Sequence, residues 1–323
     1  MNSVEKTKIS IIMPVYNAEM TLLRAVRSVD RLLAFQRKVE LIVVDDASTD
    51  NSKRLLESLA SERPYMRVIG NTDNCGPGDS RYKGIKSSNS QLIGFLDADD
   101  ELLVENYSRV LDQCVDGGHD LITFNALVDY GKGYENRYDF ERLTTDLQKL
   151  KRLCLRGELD GCVMFAIFSK DLLEKANIRF GRFFFEDIEF NYKALLSAKN
   201  LCISSVSCYK KYNTVGSILN SCSTFHIDGL IGSALAVKEF LELNFELPEV
   251  ELESDFRYCL ADYVCFLLDA IDGLESVDER NRLKKMLKVK IIECGIKAVR
   301  PFEDTKKGQK ANFFLSQELA VPL

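Results

Sequence analysis

Four short apolar runs in the first hundred residues, each closed by a polar or turn-forming segment, constrain this chain more than any other feature. They are Ile9–Met13, Glu40–Val44 (apolar after the Glu), Met66–Ile69 and Leu92–Leu96. Between them apolar residues recur at helical spacing: Leu22, Ala25, Val26, Val29 and Leu33, then Leu55, Leu56 and Leu59. A third helix follows a Gly-Pro-Gly turn over Gly78–Ser87. Fully apolar strands alternating with amphipathic helices predict an α/β fold, a mostly parallel Rossmann-like sheet covered on both faces. Ligands of such sheets gather beyond the carboxyl ends of the strands. Three of the four ends carry notable residues: Pro14–Asn17, Asp45-Asp46, and Asp97-Ala98-Asp99-Asp100.

Further on, the pattern predicts a helix over Leu102–Cys114 and a strand over Asp120–Asn125. A polar, Tyr-rich excursion covers Asp129–Arg142, a strand Cys162–Phe168, and short helices Lys170–Ala176 and Asp187–Ser197. Leu201–Val206 reads as the last strand. From about Phe225 long helical patterns take over, at 225–243, 253–272 and 278–299. A chain of 323 residues has room for two domains and a core that needs no disulfides. The expected division is a catalytic domain over 1–220 and a helical region over 221–323, with the boundary near 216–225.

Composition excludes several classes. Ten scattered cysteines without a CxxC indicate a reduced, cytoplasmic protein. His119 and His226 are the only histidines, too few for a His-based zinc site or a Ser-His-Asp triad. The N-terminus lacks a signal-peptide pattern, and no run approaches the roughly 18 apolar residues of a membrane span. A net charge of −6 gives no pull toward nucleic acid. Arg280–Lys310, however, carries eleven basic residues against three acidic ones. That stretch is either a solvated helix face or a contact with the anionic inner face of a cell membrane.

Asp97, Asp99 and Asp100 follow directly on a buried strand, and three adjacent carboxylates repel one another unless exposure or a cation relieves them. Mg²⁺ commonly takes one or two carboxylates together with substrate phosphates; the alternative is a solvated turn capping the next helix. Arg81, after the Gly-Pro-Gly turn, can reach a base or a phosphate with its planar fork, or form a surface ion pair. Glu186 and Asp187 follow three phenylalanines, an apolar setting that raises a carboxyl pKa toward useful basicity. They equally favour a helix N-terminus.

Taken together, Ile9–Ala18, Leu41–Asp50, Asn74–Arg81 with Gly84, and Phe95–Asp100 resemble the family 2 glycosyltransferases, inverting enzymes of the GT-A fold. Ile178–Phe180 with Phe185–Phe190, and Tyr209 to Ser217-Ile218, extend the resemblance over about residues 8–220. Tyr82 stands where the family usually has Asn. The resemblance implies that Pro14 and Tyr16 line a uridine pocket, that Asp46 reads the uracil edge, and that Arg81 reaches uracil or phosphate. It implies Asp97 toward the ribose or the metal's outer shell, and Asp99 with Asp100 as ligands of Mn²⁺ or Mg²⁺. Asp187 is the expected general base, with Glu186 beside it holding an acceptor hydroxyl. Asp45 is alternatively a structural residue, and Lys211 and Ser217 are candidates for touching the diphosphate.

The expected activity is metal-dependent, inverting transfer from a UDP-sugar to a glycan or lipid-linked glycan acceptor, of capsule, O-antigen or lipooligosaccharide type. A nucleotidyltransferase would call for a Gly-rich phosphate loop after the first strand, where Pro14-Val15-Tyr16-Asn17 stands. A non-catalytic sugar-nucleotide or glycan-binding module would have no use for a base at Asp187.

Overall fold

The computed structural model describes residues 9–35, 38–129, 133–136, 144–181, 184–213, 222–246, 248–295 and 306–316. The chain divides into two compact units that alternate along the sequence. One comprises Met1–Thr145, Cys162–Phe180 and Ala194–Thr214; the other comprises Asp146–Gly161, Gly181–Lys193 and Val215–Leu323. The second unit therefore takes in two segments from within the first 220 residues. The expected boundary near 216–225 begins in residues 214–221, which lie outside the described residues.

The first unit is built on a nine-stranded sheet. Its strands are β1 (Ile9–Val15), β2 (Val39–Asp45), β3 (Met66–Gly70), β4 (Leu92–Phe95), β5 (Glu101–Leu102), β6 (Leu121–Asp129), β7 (Tyr134–Asn136), β8 (Ala166–Ser169) and β9 (Leu201–Lys211). Their order is β3-β2-β1-β4-β8-β6-β9-β5, with β7 paired to β6. The segment β3-β2-β1-β4 is parallel, as the apolar runs require, and β8 enters antiparallel between β4 and β6. Helices α1 (Leu22–Leu32), α2 (Ser52–Ser61), α3 (Pro77–Ser87) and α4 (Val104–Asp116) alternate with the strands. Ile9, Ile11, Ile12, Leu41, Ile42, Val43 and Val44 are fully buried, which explains the lack of polar alternation in β1 and β2.

Several strand assignments shift: β6 runs on to Asp129 rather than ending at Asn125, and β7 lies within the stretch expected as a polar excursion. Val163–Phe165 is a 3-10 turn, and β8 begins only at Ala166. β9 runs on to Lys211, because its polar end pairs in parallel with β6 and antiparallel with β5. Pairing on both sides satisfies that backbone whatever its side chains.

The second unit is helical. It contains α5 (Leu147–Leu155), the first part of α7 (Glu186–Ser197), α8 (Thr224–Asn244), α9 (Glu249–Asp272), α10 (Val277–Glu293) and α11 (Lys306–Ser316). The short helix α6 (Lys170–Lys175) belongs to the sheet unit. Asp255 on α9, only 1% exposed, binds both Arg152 and Arg156, at 2.7 and 3.0 Å, tying α9 to α5 and the turn after it. The basic stretch is extensively paired within the unit: Lys284 with Asp272, Lys290 with Asp228, Lys307 with Asp262, and Lys310 with Asp269. Among the described residues no helix is long and apolar enough to cross a membrane.

Strand β4 shows how tightly the sheet is covered. Tyr107 on α4 is fully buried, and a Cβ added at Gly94 would lie 2.2 Å from its hydroxyl and 3.1 Å from Ile11 Cδ1. That hydroxyl has no hydrogen-bond partner among the described residues. Gly94→Ala is therefore expected to cost about 1–3 kcal/mol by overpacking. Tyr107→Phe should be near neutral, since it removes an unsatisfied polar atom, and should recover part of the Gly94→Ala loss in the double variant. Chemical denaturation of the four proteins checks this.

Candidate active site

Val15 pairs with Asp45, so the segments leaving β1 and β2 meet immediately. Asn17 takes a left-handed conformation, φ 51°, which Asn tolerates better than most residues. Its carboxamide oxygen accepts from the N–H groups of Thr49 and Asp50 at 2.8 and 3.3 Å, and its own N–H donates to Ser48 Oγ at 3.1 Å. Beside this stitch Pro14 is half-buried and Tyr16 exposed.

Asp45 accepts from Ser48 N–H at 3.3 Å and so ties off the strand end, the structural alternative for that residue. Asp46, 2% exposed, does something different. Its Oδ1 accepts from Asn71 Nδ2 at 2.7 Å and Cys75 N–H at 3.0 Å, and its Oδ2 from Gly76 N–H at 2.8 Å. Gly76 caps α3 immediately before its first residue, at φ 87°. Asp46 thus clamps the loop into α3. Asn71 is a participant that the sequence pattern did not single out.

Helix α3 in turn positions Arg81, which is buried rather than at the surface. Its guanidinium donates to Asp97 Oδ1 at 2.7 Å, reaches Met164 Sδ at 3.7 Å and lies 5.8 Å over the Phe180 ring. Asp97 opens a tight turn closed by Asp100 N–H donating to the Asp97 carbonyl at 3.1 Å. The end of β9 supplies the rest. Lys211 Nζ stands 3.7 Å from Asp97 Oδ2 and 3.6 Å from Asp100 Oδ2. Tyr209 donates its hydroxyl to Asp100 Oδ2 at 2.9 Å, and Tyr212 N–H donates to Asp100 Oδ1 at 2.8 Å. Arg24 bonds the Asp99 carbonyl and lies 3.7 Å over the Tyr212 ring. Ser217, the other candidate for phosphate contact, lies outside the described residues.

The charge pattern follows from burial. Desolvation opposes ionisation of Asp97, but Arg81 and Lys211 outweigh it and hold its carboxyl below the usual range. Burial pushes Asp100 up to about 7; Asp97 and Asp99 add repulsion, while Lys211 and the Tyr212 N–H pull the other way. Lys211 is desolvated too, yet Asp97 and Asp100 raise its pKa, so it stays charged. The three carboxylates can each place an oxygen within 4.8 Å of the others. Hard oxygen donors from three clustered carboxyl groups, with a half-buried Asp99 at the turn, fit a divalent ion such as Mg²⁺ or Mn²⁺.

In the helical unit, Glu186 and Asp187 open α7 directly after Phe185, whose φ of 64° is unusual for an aromatic residue. Helix α8 enforces this bend. Ser233 donates to the Phe185 carbonyl at 3.0 Å, and a Cβ at Gly229 would fall 2.0 Å from the Phe184 carbonyl oxygen. His226 packs edge-on against Phe184 and Phe185 and closes a capping box with Ser223, a structural role. Glu186 is buried and Asp187 half-buried, its charge reaching the phenols of Tyr192 and Tyr263. Phe183 lies outside the described residues. His119 also stays structural, bonded to Asn200 at 3.0 Å.

A mostly parallel sheet flanked by helices, with this turn at its strand ends, is a fold of the GT-A class. The model of glycosyl transferase family 2 matches residues 10–176, more than half of the chain, and the chain belongs to that family. Among curated relatives, the GalNAc(5)-diNAcBac-PP-undecaprenol beta-1,3-glucosyltransferase of Campylobacter jejuni is 27% identical over 179 residues, 55% of this chain and 56% of that protein. The match thus spans about half the length of that relative. The structure of S. aureus TarS 1-349 in complex with UDP-GlcNAc superposes with a TM-score of 0.69 at 22% identity, covering 88% of this chain and 80% of that one. The mannosyltransferase PcManGT from Pyrobaculum calidifontis, in complex with GDP-Man and Mn²⁺, gives 0.53 at 14% identity, covering 97% and 85%. At these identities the structural likeness concerns the fold.

The raised pKa of Asp100 has a consequence for stability. A carboxyl whose folded pKa, about 7, exceeds its ordinary value of 3.8 contributes fully below about pH 4 and loses that contribution as pH rises through 7. Asp97, shifted the other way, acts only at lower pH. Without added divalent cation, stability should therefore fall from pH 5.5 to 8 by on the order of 1–2 kcal/mol. Asp100→Asn should flatten that slope, as urea titrations at several pH values would show.

Proposed function

We propose that this chain transfers a sugar from a UDP-sugar to a hydroxyl of a glycan, or of a lipid-linked glycan, with inversion at the anomeric carbon. The observation that carries the reading is the acidic turn Asp97–Asp100, held at the strand ends between Arg81 and Lys211. Pro14 and Tyr16 are assigned to the uridine, and Asp46 accepts the uracil N–H on its remaining lone pair. Asp97 is assigned to the ribose side, and Arg81 acts through Asp97 or on the diphosphate. A divalent Mn²⁺ or Mg²⁺ on Asp99, with Asp100 behind it, would neutralise charge on the departing UDP.

Asp187 is the proposed base. It takes the proton of the acceptor hydroxyl while that oxygen forms the new bond to the anomeric carbon; the old carbon–oxygen bond breaks, and its electron pair leaves with UDP. Glu186 orients the acceptor hydroxyl. The same reading puts the protein in the cytoplasm, which ten free thiols suit, and its lipid-linked acceptor at the inner membrane face. The ion pairs from Arg280–Lys310 to Asp228, Asp262, Asp269 and Asp272 leave that stretch a weaker electrostatic anchor than its composition suggests.

A panel of UDP- and GDP-sugars, with and without Mn²⁺ or Mg²⁺, tests the proposal through release of the nucleoside diphosphate. One UDP-sugar should turn over only with metal, and Asp99→Asn should abolish that dependence together with the activity. Asp187→Asn should lower kcat about 10²–10⁴-fold while UDP binding persists. Unchanged turnover in Asp187→Asn would remove it as the base. Nucleotide binding without turnover under any condition would favour a binding module.

A further inference from the structure

We infer that Tyr209 is a positioning residue for the acidic turn, setting the separation of Asp97 and Asp100 on which the donor diphosphate site depends; the inference rests on the donor-site reading above. Its phenol is fully buried and makes two directed bonds at opposite ends of the turn. It accepts from Asp97 N–H at 3.0 Å and donates to Asp100 Oδ2 at 2.9 Å. An N–H to O–H to carboxylate chain polarises in one direction, so each bond strengthens the other. Arg81 holds only Asp97, at 2.7 Å, and the Tyr212 N–H only Asp100, at 2.8 Å. Asp97 and Asp100 are joined directly only by the single Asp100 N–H to Asp97 carbonyl bond. Lys211 bridges their carboxylates at 3.6 and 3.7 Å, as a point charge with little directional preference. The Phe165 ring packs against Tyr209 with centroids 5.5 Å apart, which keeps the phenol in place when its hydroxyl is removed.

The test is Tyr209→Phe, with Tyr107→Phe as the control for losing a buried phenolic hydroxyl. In metal-free protein, hydrogen exchange at residues 96–101 should accelerate about tenfold in Tyr209→Phe and stay unchanged in Tyr107→Phe, with protection of β1 and β2 intact in both. With the UDP-sugar that the wild type turns over, KM for the sugar nucleotide and the half-saturating metal concentration should each rise about five- to tenfold, with little change in kcat. Unaltered exchange at 96–101 overturns the inference. Faster exchange with unaltered KM also overturns it, because the turn would then be held without consequence for the donor. A wild type that turns over no sugar nucleotide defeats the donor-site reading instead, and the exchange measurement then decides alone whether Tyr209 holds the turn.

Discussion

Three carboxylates in four residues at the end of a buried strand are tolerable only if the rest of the fold delivers positive charge to them. Arg81 and Lys211 do so from different elements, one from the helix after β3 and the other from the end of β9. Removing a buried charge from water costs several kcal/mol, recovered only when partners and hydrogen bonds meet the carboxylate well. Here the partners come from segments that converge only when β4 and β9 lie in the same sheet. The long extension of β9 and the antiparallel pair with β5 are the structural means by which Lys211, Tyr209 and Tyr212 reach the turn. The site and the sheet are therefore one energetic problem, in which misplacing either leaves an uncompensated charge.

The Asp46 side of the strand ends follows the same logic with hydrogen bonds instead of charge pairs. Asp46 gathers three donors and so fixes the loop that launches α3, and α3 carries Arg81 to Asp97. A residue taken for base recognition is thus also the residue that orders the helix of the arginine. In the helical unit, Gly229 and Ser233 impose the bend at Phe185 that aims the start of α7. Strain of this kind, on the order of 1–3 kcal/mol, persists only where packing over-determines it.

The parallel core was legible because apolar runs without alternation have few other solutions, and the acidic turn was legible because its residues are adjacent. Partners distant in sequence were not. Lys211 reads either as a phosphate contact or as an exposed lysine among polar neighbours, and nothing local says that it is desolvated against residues a hundred positions earlier. Arg81 reads equally as a surface pair until its helix is placed against Phe180 and Met164. Helices α5 and α11 escaped notice for a related reason: each is short, and each is fixed by packing against longer helices of its unit rather than by its own pattern. The charge excess of Arg280–Lys310 is visible in the sequence, but its compensation by Asp228, Asp262, Asp269 and Asp272 is a property of the fold.

If the Asp97–Asp100 turn receives the metal and diphosphate of a nucleotide sugar, as proposed, anomalous diffraction from crystals grown with Mn²⁺ and UDP should show it. One manganese peak is expected at coordination distance, about 2.0–2.2 Å, from an Asp99 carboxylate oxygen, with UDP phosphate oxygens completing the shell and the uracil edge on Asp46. UDP bound away from this turn, or manganese bound elsewhere with the turn unchanged, would contradict it.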